Sequence, residues 1–337
     1  MSSFFRSDVK LSRTMSGQAC PVPIRLCAIP GFEGRTNDIV YSAPIRTTER
    51  PSLLIFFGGD IQDFTENMQS HRDNRNYVKW NLENTAQLLQ SKFPDCQVMV
   101  VRPSRMEYKT FSCYKNFVPC TDCGAPRHTP MHNGLIHLEK LICNLSERLQ
   151  SMTESDFEAA AAASRKAIVA ESQHSLKCDT VVNWDGRDKV SPGPGTTTDL
   201  ENCDIKLIGF SKGCVVLNQF LYEFHYFKTL KSEDSSLLKI VSKIKDMYWL
   251  DGGHSGGKNT WITSRPLLET LSGLGIKIHV HVSPYQIQDE RRPWIRKEEK
   301  AFSDTLRKQG TALDRTVHFE NLPANLMQHF DIIKIFD

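Results

Sequence analysis

The chain has 337 residues, of which 39% are hydrophobic and 24% charged, and its net charge is only +3. This composition is typical of a globular protein, and so small a positive charge gives no reason to predict a nucleic-acid partner. No apolar run, the segment 53–57 included, approaches the roughly 20 residues that cross a bilayer. The sequence therefore predicts no transmembrane segment.

The N-terminal segment 1–24 has a composition of its own. It carries Arg6, Lys10 and Arg13 against a single acid, Asp8, together with several serines, and it lacks the apolar core of a secretory signal. This bias is typical of a mitochondrial transit segment, with a disordered tail as the alternative. The ten cysteines of the chain are scattered rather than spaced as a disulfide framework, which favours a reducing compartment, mitochondrial or, as the alternative, cytoplasmic.

Apolar runs and helical periodicities alternate through the first half of the domain. Short runs of apolar and β-branched residues predict strands, and apolar residues spaced three or four apart predict helices. The predicted strands are 25–29, 38–41, 53–57 and 96–101, and the predicted helices are 77–93 and 138–149. A polar, cysteine-bearing loop is predicted for 102–132.

Residues 151–200 interrupt this alternation with an alanine run, many acids and a proline- and glycine-rich end. We interpret them as an insertion, partly helical and partly flexible, which is either a lid over a site or a surface excursion. The alternation then resumes. Strands are predicted at 204–209, 247–250, 276–282 and 317–319. Helices are predicted after the serine turn, with an inward face over 217–227, and at 237–244, 266–272 and 294–308.

Strands alternating with helices predict an α/β fold with a mostly parallel central sheet and helices on both faces. We expect one such domain over 25–337, with the insertion at 151–200. In sheets of this kind ligands bind at the carboxyl ends of the strands. Reactive residues are therefore expected directly after strands.

A serine in a tight turn follows the predicted strand 204–209. The residues Gly209, Phe210, Ser211, Lys212 and Gly213 have the form Gly-x-Ser-x-Gly. This is the pattern of a nucleophile elbow, in which the serine has a strained backbone and the glycines leave room for neighbouring chain. Ser211 is therefore the candidate nucleophile.

A serine nucleophile needs a base to take its proton and an acid to orient that base. In α/β-hydrolases the chain order is serine, acid, histidine. That order favours Asp289 as the acid, with Asp251 as the alternative one strand earlier. It favours His329 as the base, with His254 as the runner-up.

The negative charge of a tetrahedral intermediate needs backbone donors that already point at it. One is expected to be the N–H of Lys212, directly after the serine. The other is expected from Gly59 or Asp60, in the glycine-rich turn after the strand 53–57.

These motifs carry a family resemblance. The turn at Ser211, the segment Tyr248-Trp249-Leu250-Asp251-Gly252-Gly253-His254 and the C-terminal Gln328-His329-Phe330 resemble the family called chromosome two open reading frame sixty-nine, within the α/β-hydrolase superfamily. The resemblance implies a hydrolase-like protein of the mitochondrial matrix that supports respiratory function, with glycogen-branching enzyme as an implied partner. Two departures from a typical esterase are the bulky Lys212 and the lack of a histidine before the oxyanion-loop glycines.

The cysteine-bearing loop contains a weak metal candidate. Cys120, Cys123, His128 and His132 are residue types that zinc accepts, but the spacing between the pairs is short for a zinc finger, so a reduced loop without metal is favoured. We therefore predict no metal and no cofactor. The predicted function is a serine hydrolase that acts on a small-molecule or lipid acyl substrate, an ester, thioester or amide. The alternative is an inactive hydrolase-fold scaffold for a metabolic enzyme.

Overall fold

The apolar runs of the sequence form the strands of one central sheet. The structure is a computed structural model that describes residues 20–172, 199–230 and 235–337. Within these residues there are ten strands: β1 Ile24–Pro30, β2 Thr36–Ser42, β3 Ser52–Phe57, β4 Cys96–Val101, β5 Arg105–Glu107, β6 Phe111–Cys113, β7 Asp204–Phe210, β8 Ile244–Leu250, β9 Lys277–Val282 and β10 Leu313–Val317. Most of the predicted N-terminal tail and residues 173–198 of the predicted insertion lie outside the described residues.

Eight of these strands pair in the order β1-β2-β4-β3-β7-β8-β9-β10. The sheet is mixed: β2 runs antiparallel to both of its neighbours, and each of the other pairs is parallel. The predicted mostly parallel sheet is thus confirmed, with β2 as its reversed strand. Phe57 of β3 lies opposite Gly209 of β7, which in turn lies opposite Trp249 of β8. This register aligns the carboxyl ends of three central strands.

Helices cover both faces of the sheet. The described helices are α1 Thr65–Gln69, α2 Leu82–Lys92, α3 Gly134–Ser151, α4 Glu154–Ser172, α5 Cys214–Leu230, α6 Ser235–Lys243, α7 Arg265–Ser272, α8 Pro284–Ile287, α9 Pro293–Lys308 and α10 Leu326–Ile335. Because strand side chains alternate between faces, Ile55 of β3 belongs to one apolar core with residues of α3, α5, α7 and α9, whereas Phe56 belongs to a second core with residues of α2 and α10. None of the described helices is both long and apolar enough to cross a membrane.

The structure departs from the predicted elements in a few places. The loop predicted for 102–132 contains the antiparallel hairpin of β5 and β6. The helix predicted for 77–93 begins only at Leu82, where the Asn81 side chain accepts a hydrogen bond from the N–H of Asn84 and a 3-10 turn precedes it. The last strand ends at Val317, so His318 follows it rather than lying within it. Within the predicted insertion, Glu154–Ser172 is helical as expected.

Three segments of chain meet closely at the end of β7. A Cβ atom placed on Gly213 would lie 1.9 Å from the carbonyl oxygen of Phe57, and one on Gly209 would lie 2.8 Å from the Cα of Cys214. Both distances are far inside van der Waals contact, and the atoms met belong to backbone, which cannot rotate away. Both positions of the turn therefore require glycine.

This contact predicts the effect of adding one methyl group. The substitution Gly213→Ala forces β3 and the turn apart, and we expect it to lower the free energy of unfolding by about 2 to 4 kcal/mol. Denaturant unfolding at equilibrium measures the change. The control is Gly257→Ala, because nothing lies within 4 Å of a Cβ at Gly257. Equal stability of the two variants would contradict the close approach.

Candidate active site

Ser211 is the first residue after β7 and begins a 3-10 turn, Ser211–Gly213, that leads directly into α5. Its φ is 51°, in the left-handed region that residues with a side chain rarely adopt. The side chain is partly exposed. Strain of this kind persists where the surrounding structure enforces it, and it is frequent at reactive residues. The backbone at Ser211 thus has the geometry of a nucleophile elbow.

His329 lies in the first turn of α10, where it forms a buried pair with Asp251. Asn325 caps this helix by accepting a hydrogen bond from the N–H of Gln328. The His329 Nδ1 atom lies 2.7 Å from Asp251 Oδ2. Because a carboxylate can only accept, the Nδ1–H donates and the Nε2 atom keeps its lone pair. In this tautomer the imidazole can act as a base through Nε2.

Asp251 is itself held firmly at the end of β8. It is fully buried, with a φ of 48°. Its Oδ1 accepts a hydrogen bond from the Ser283 N–H at 2.7 Å, and its Oδ2 accepts one from the Ser283 hydroxyl at 2.6 Å. These donors and His329 supply the hydrogen bonds that a buried carboxylate needs. The sequence prediction did not include Ser283, although its position directly after β9 is a signal that could have found it.

Asp289, the preferred acid of the sequence prediction, lies in a different set of contacts. The structure pairs it with Arg292 at 2.8 Å and Arg291 at 3.1 Å, at the start of α9. The hydrogen bonds from these arginines lower the pKa of Asp289 to about 2. The carboxylate beside His329 is that of Asp251, the alternative acid of the sequence analysis. The physical reason is that α8 and the turn after it direct the chain from β9 into the arginine-rich start of α9.

His254, the alternative base, is fixed within its own loop. Its Nδ1 accepts a hydrogen bond from the Gly256 N–H at 2.9 Å, and its Nε2 lies 3.2 Å from the carbonyl oxygen of Asn259. Burial lowers its pKa to about 4. Both ring nitrogens of His254 therefore have backbone partners, whereas His329 has a carboxylate partner and lies in ring contact with Phe210, the residue before Ser211.

The predicted oxyanion loop packs directly against the serine. A Cβ on Gly59 would lie 2.9 Å from the Ser211 Cβ. The Gly59 N–H, however, donates to Gln62 Oε1 at 2.8 Å, and the Gln62 amide donates in turn to the Trp80 carbonyl oxygen. Among the described residues no group accepts from the Asp60 N–H. Of the two predicted loop donors, the one at Asp60 is thus available.

Lys212 has an unusual position for a cation. Its side chain is fully buried. The Nζ atom donates to the Cys123 carbonyl oxygen at 3.0 Å, lies 3.5 Å from Asp60 Oδ1 and lies above the ring of Phe111. Burial raises the pKa of Asp60, and the Lys212 ammonium opposes this rise. The sequence prediction used only the backbone of Lys212, so this side-chain contact is new.

The four zinc candidates do not converge. His128 Nε2 lies 3.2 Å from the Val215 carbonyl oxygen, and His132 Nε2 lies 2.8 Å from the Lys115 carbonyl oxygen. Within residues 20–172, 199–230 and 235–337, no group of three or more His, Cys, Asp or Glu side chains could hold a metal ion. Cys120 and Cys123 are free thiols.

Taken together, the fold is α/β with a mostly parallel sheet. Ser211 and Asp251 follow the central strands β7 and β8, and His329 of α10 contacts Asp251. Residues 25–312 match the C2orf69 family. The chain is 35% identical over 321 residues to the mitochondrial protein C2orf69 homolog of Mus musculus, with 91% of this chain and 85% of the relative covered. It is 36% identical over 291 residues to the mitochondrial protein C2orf69 of Homo sapiens, with 84% and 74% covered. The chain belongs to the C2orf69 family.

The chain has a weak likeness to solved structures of two esterases and a dienelactone hydrolase. Esterase Est22 is 13% identical with a TM-score of 0.41, covering 92% of this chain and 74% of its own. Thermogutta terrifontis esterase 2 phosphorylated by paraoxon is 9% identical with a TM-score of 0.42, covering 96% and 94%. Dienelactone hydrolase from Anabaena variabilis is 9% identical with a TM-score of 0.37, covering 93% and 95%. Similarity of this degree says nothing about the reaction.

The different surroundings of Asp251 and Asp289 predict different losses of stability when each side chain is removed. Asp251→Ala leaves the Ser283 and His329 donors buried without an acceptor, so we expect it to lower the free energy of unfolding by about 3 kcal/mol or more. Asp289→Ala removes contacts to the exposed Arg291 and to Arg292, which is 26% exposed; both arginines still reach solvent, so the change should cost about 1 kcal/mol. Denaturant unfolding of the two variants side by side provides the measurement. The reverse order of stabilities would contradict the pairing of Asp251 with His329.

Proposed function

We propose that this protein is a serine hydrolase of the α/β-hydrolase type, acting on an ester, thioester or amide. The observation that carries the proposal is the hydrogen bond between His329 Nδ1 and Asp251 Oδ2, on the sheet edge that also carries the strained Ser211. Supporting it, the order of strands, with the second strand alone reversed, is typical of the α/β-hydrolase superfamily.

The three residues have separate roles in the proposed reaction. The Ser211 hydroxyl oxygen attacks the carbonyl carbon of the substrate while His329 Nε2 takes the hydroxyl proton. Asp251 keeps His329 in the required tautomer and stabilises the imidazolium that forms. His329 then gives the proton to the leaving group, which departs and leaves an acyl-serine. Water, activated by His329 in the same way, releases the acid product and restores Ser211.

The charge of the tetrahedral intermediate is stabilised by backbone donors in this account. The first is the N–H of Lys212, directly after the nucleophile. The second is the N–H of Asp60 rather than that of Gly59, because the Gly59 N–H already donates to Gln62. A donor that is free and fixed before the reaction costs no reorganisation when the charge develops.

The proposal also covers the location of the protein in the cell and the class of its substrate. The relatives from mouse, human and zebrafish are named mitochondrial proteins, and the basic, serine-rich segment 1–24 of this chain agrees with that location. We place the protein in mitochondria, in the matrix as the specific hypothesis, where it supports respiratory function. Its substrate in this proposal is a small-molecule or lipid acyl compound.

One observation favours a second candidate, a scaffold without turnover. The Gly59 N–H donates to the Gln62 side chain, so this N–H is not free to bind the oxygen of a substrate. In that case the fold binds a metabolic enzyme. Glycogen-branching enzyme, the partner implied by the family resemblance, is a hypothesis without support from the fold or the comparisons.

A fluorophosphonate probe tests the hydrolase directly, because it reacts covalently with an activated serine. We expect wild-type protein to be labelled and Ser211→Ala to give no labelling. Asp251→Asn should slow labelling by about 10³ to 10⁴, since His329 then loses the partner that fixes its tautomer. The matched control is Asp289→Asn, which should label at the wild-type rate. In-gel fluorescence gives the labelling rates, and intact-protein mass spectrometry gives the number of probe molecules bound per protein.

The outcomes separate the two candidates. Labelling that survives Ser211→Ala, or folded wild-type protein that is never labelled, contradicts the hydrolase. If in addition Ser211→Ala restores respiration as fully as wild type in cells that lack the protein, the scaffold is the better account. Equal slowing by Asp289→Asn and Asp251→Asn would contradict the assignment of Asp251 as the acid.

A further inference from the structure

The buried ammonium of Lys212 has no role in the reaction derived above, which uses only the backbone of that residue. We propose that Lys212 and Asp60 act as a positioning pair, which fixes the loop after β3 so that the Asp60 N–H can hold the oxyanion. This inference rests on the proposed hydrolase function and adds two positioning residues to it.

Burial of the Lys212 ammonium carries a high desolvation cost. A lysine is almost never fully buried unless its charge is paired, because removing an ammonium from water is expensive. An elbow needs from the residue after the serine only its N–H, so the side chain at this position is free to be small or to face solvent. Lys212 instead lies wholly inside the protein, with Asp60 Oδ1 at 3.5 Å as its acidic partner.

The loop after β3 is held in place by hydrogen bonds from Ser112 and Tyr114. The Asp60 Oδ1 atom accepts from the Ser112 N–H at 2.8 Å, and the Gly59 carbonyl oxygen accepts from the Ser112 hydroxyl at 2.6 Å. The Gly58 carbonyl oxygen accepts from the Tyr114 hydroxyl at 2.9 Å. The loop is therefore anchored to β6 and the residue after it, while the Asp60 N–H is left without a partner among the described residues. An anchored loop with one unused donor is what an oxyanion site requires.

Lys212 also holds a turn that packs against β6, the strand to which this loop is anchored. Its Nζ atom donates to the carbonyl oxygen of Cys123, in a turn where the Thr121 N–H donates to Ala125. That turn packs directly against β6, since a Cβ on Gly124 would lie 2.3 Å from the carbonyl oxygen of Ser112. Lys212 thus links the turn at Ser211 to Asp60 directly and, through Cys123, to the turn that packs against β6.

The expected loss of rate follows from the proposed positioning role of Lys212 and Asp60. Loss of a whole oxyanion donor slows an enzyme by about 10² to 10³. A displaced donor loses part of that contribution, so removal of either charge should slow the reaction at Ser211 by about tenfold or more. Since the lost interaction forms mainly in the transition state, kcat should fall while KM changes little.

The experiment measures the rate of fluorophosphonate labelling, and kcat and KM for p-nitrophenyl butyrate, in Lys212→Met, Asp60→Asn and the double variant. Methionine keeps the length and apolar stem of lysine, and asparagine keeps an oxygen for the Ser112 N–H. We expect each single variant to be slowed about tenfold or more, and the double variant to be slowed no further, because two halves of one unit are not additive.

The matched controls are Lys206→Met and Asp246→Asn. Lys206 Nζ and Asp246 Oδ2 form another lysine–aspartate pair, between β7 and β8, in which the lysine is partly rather than fully buried. Loss of this pair should leave the rates at Ser211 unchanged.

Three results would overturn the positioning role of Lys212 and Asp60. Folded Lys212→Met that reacts at the wild-type rate, or additive losses in the double variant, would overturn the inference and leave the hydrolase intact. A loss of rate matched by Lys206→Met would also overturn it, since the effect would then be general destabilisation. If Lys212→Met does not fold, Asp60→Asn alone decides, because it keeps the backbone and the Ser112 contact. Wild-type protein that is never labelled overturns the proposed function first, and this inference with it.

Discussion

The buried hydrogen bond between Asp251 and His329 is the interaction on which the account of the site depends. It joins the end of a central strand, β8, to the C-terminal helix α10, and the donors of Ser283 bring the end of β9 to the same carboxylate. Without this bond the carboxylate would be buried with one hydrogen-bond partner fewer, and the imidazole would have no fixed tautomer. The same contact thus stabilises the fold and fixes the tautomer of His329.

The sheet explains why these groups meet at all. Parallel strands present their carboxyl ends at one edge, so residues that directly follow β3, β7, β8 and β9 are neighbours in space. This much could be predicted from the sequence, because the strands are apolar runs and Gly59, Ser211 and Asp251 follow them closely. The elbow could also be predicted, since its glycines are required by contacts that the Gly-x-Ser-x-Gly pattern already implies.

Other features depend on contacts between distant side chains, and no local pattern encodes those. Asp289 and Asp251 both follow strands, and only the turn of α8 towards Arg291 and Arg292 separates their roles. The use of the Gly59 N–H by Gln62 is a contact within a loop of irregular shape. The burial of Lys212 was the least predictable, because a lysine in sequence is expected at the surface, and its partners Asp60 and Cys123 come from two other segments.

The most direct measurement is a crystal structure of the protein after reaction with a fluorophosphonate. Our account predicts a phosphonyl group on the Ser211 hydroxyl oxygen, with its free oxygen about 2.7 to 3.1 Å from the backbone nitrogens of Lys212 and Asp60. It also predicts that His329 remains bound to Asp251 through Nδ1. A phosphonyl group on another residue, or one on Ser211 whose oxygen faces solvent while His329 has left Asp251, would contradict it.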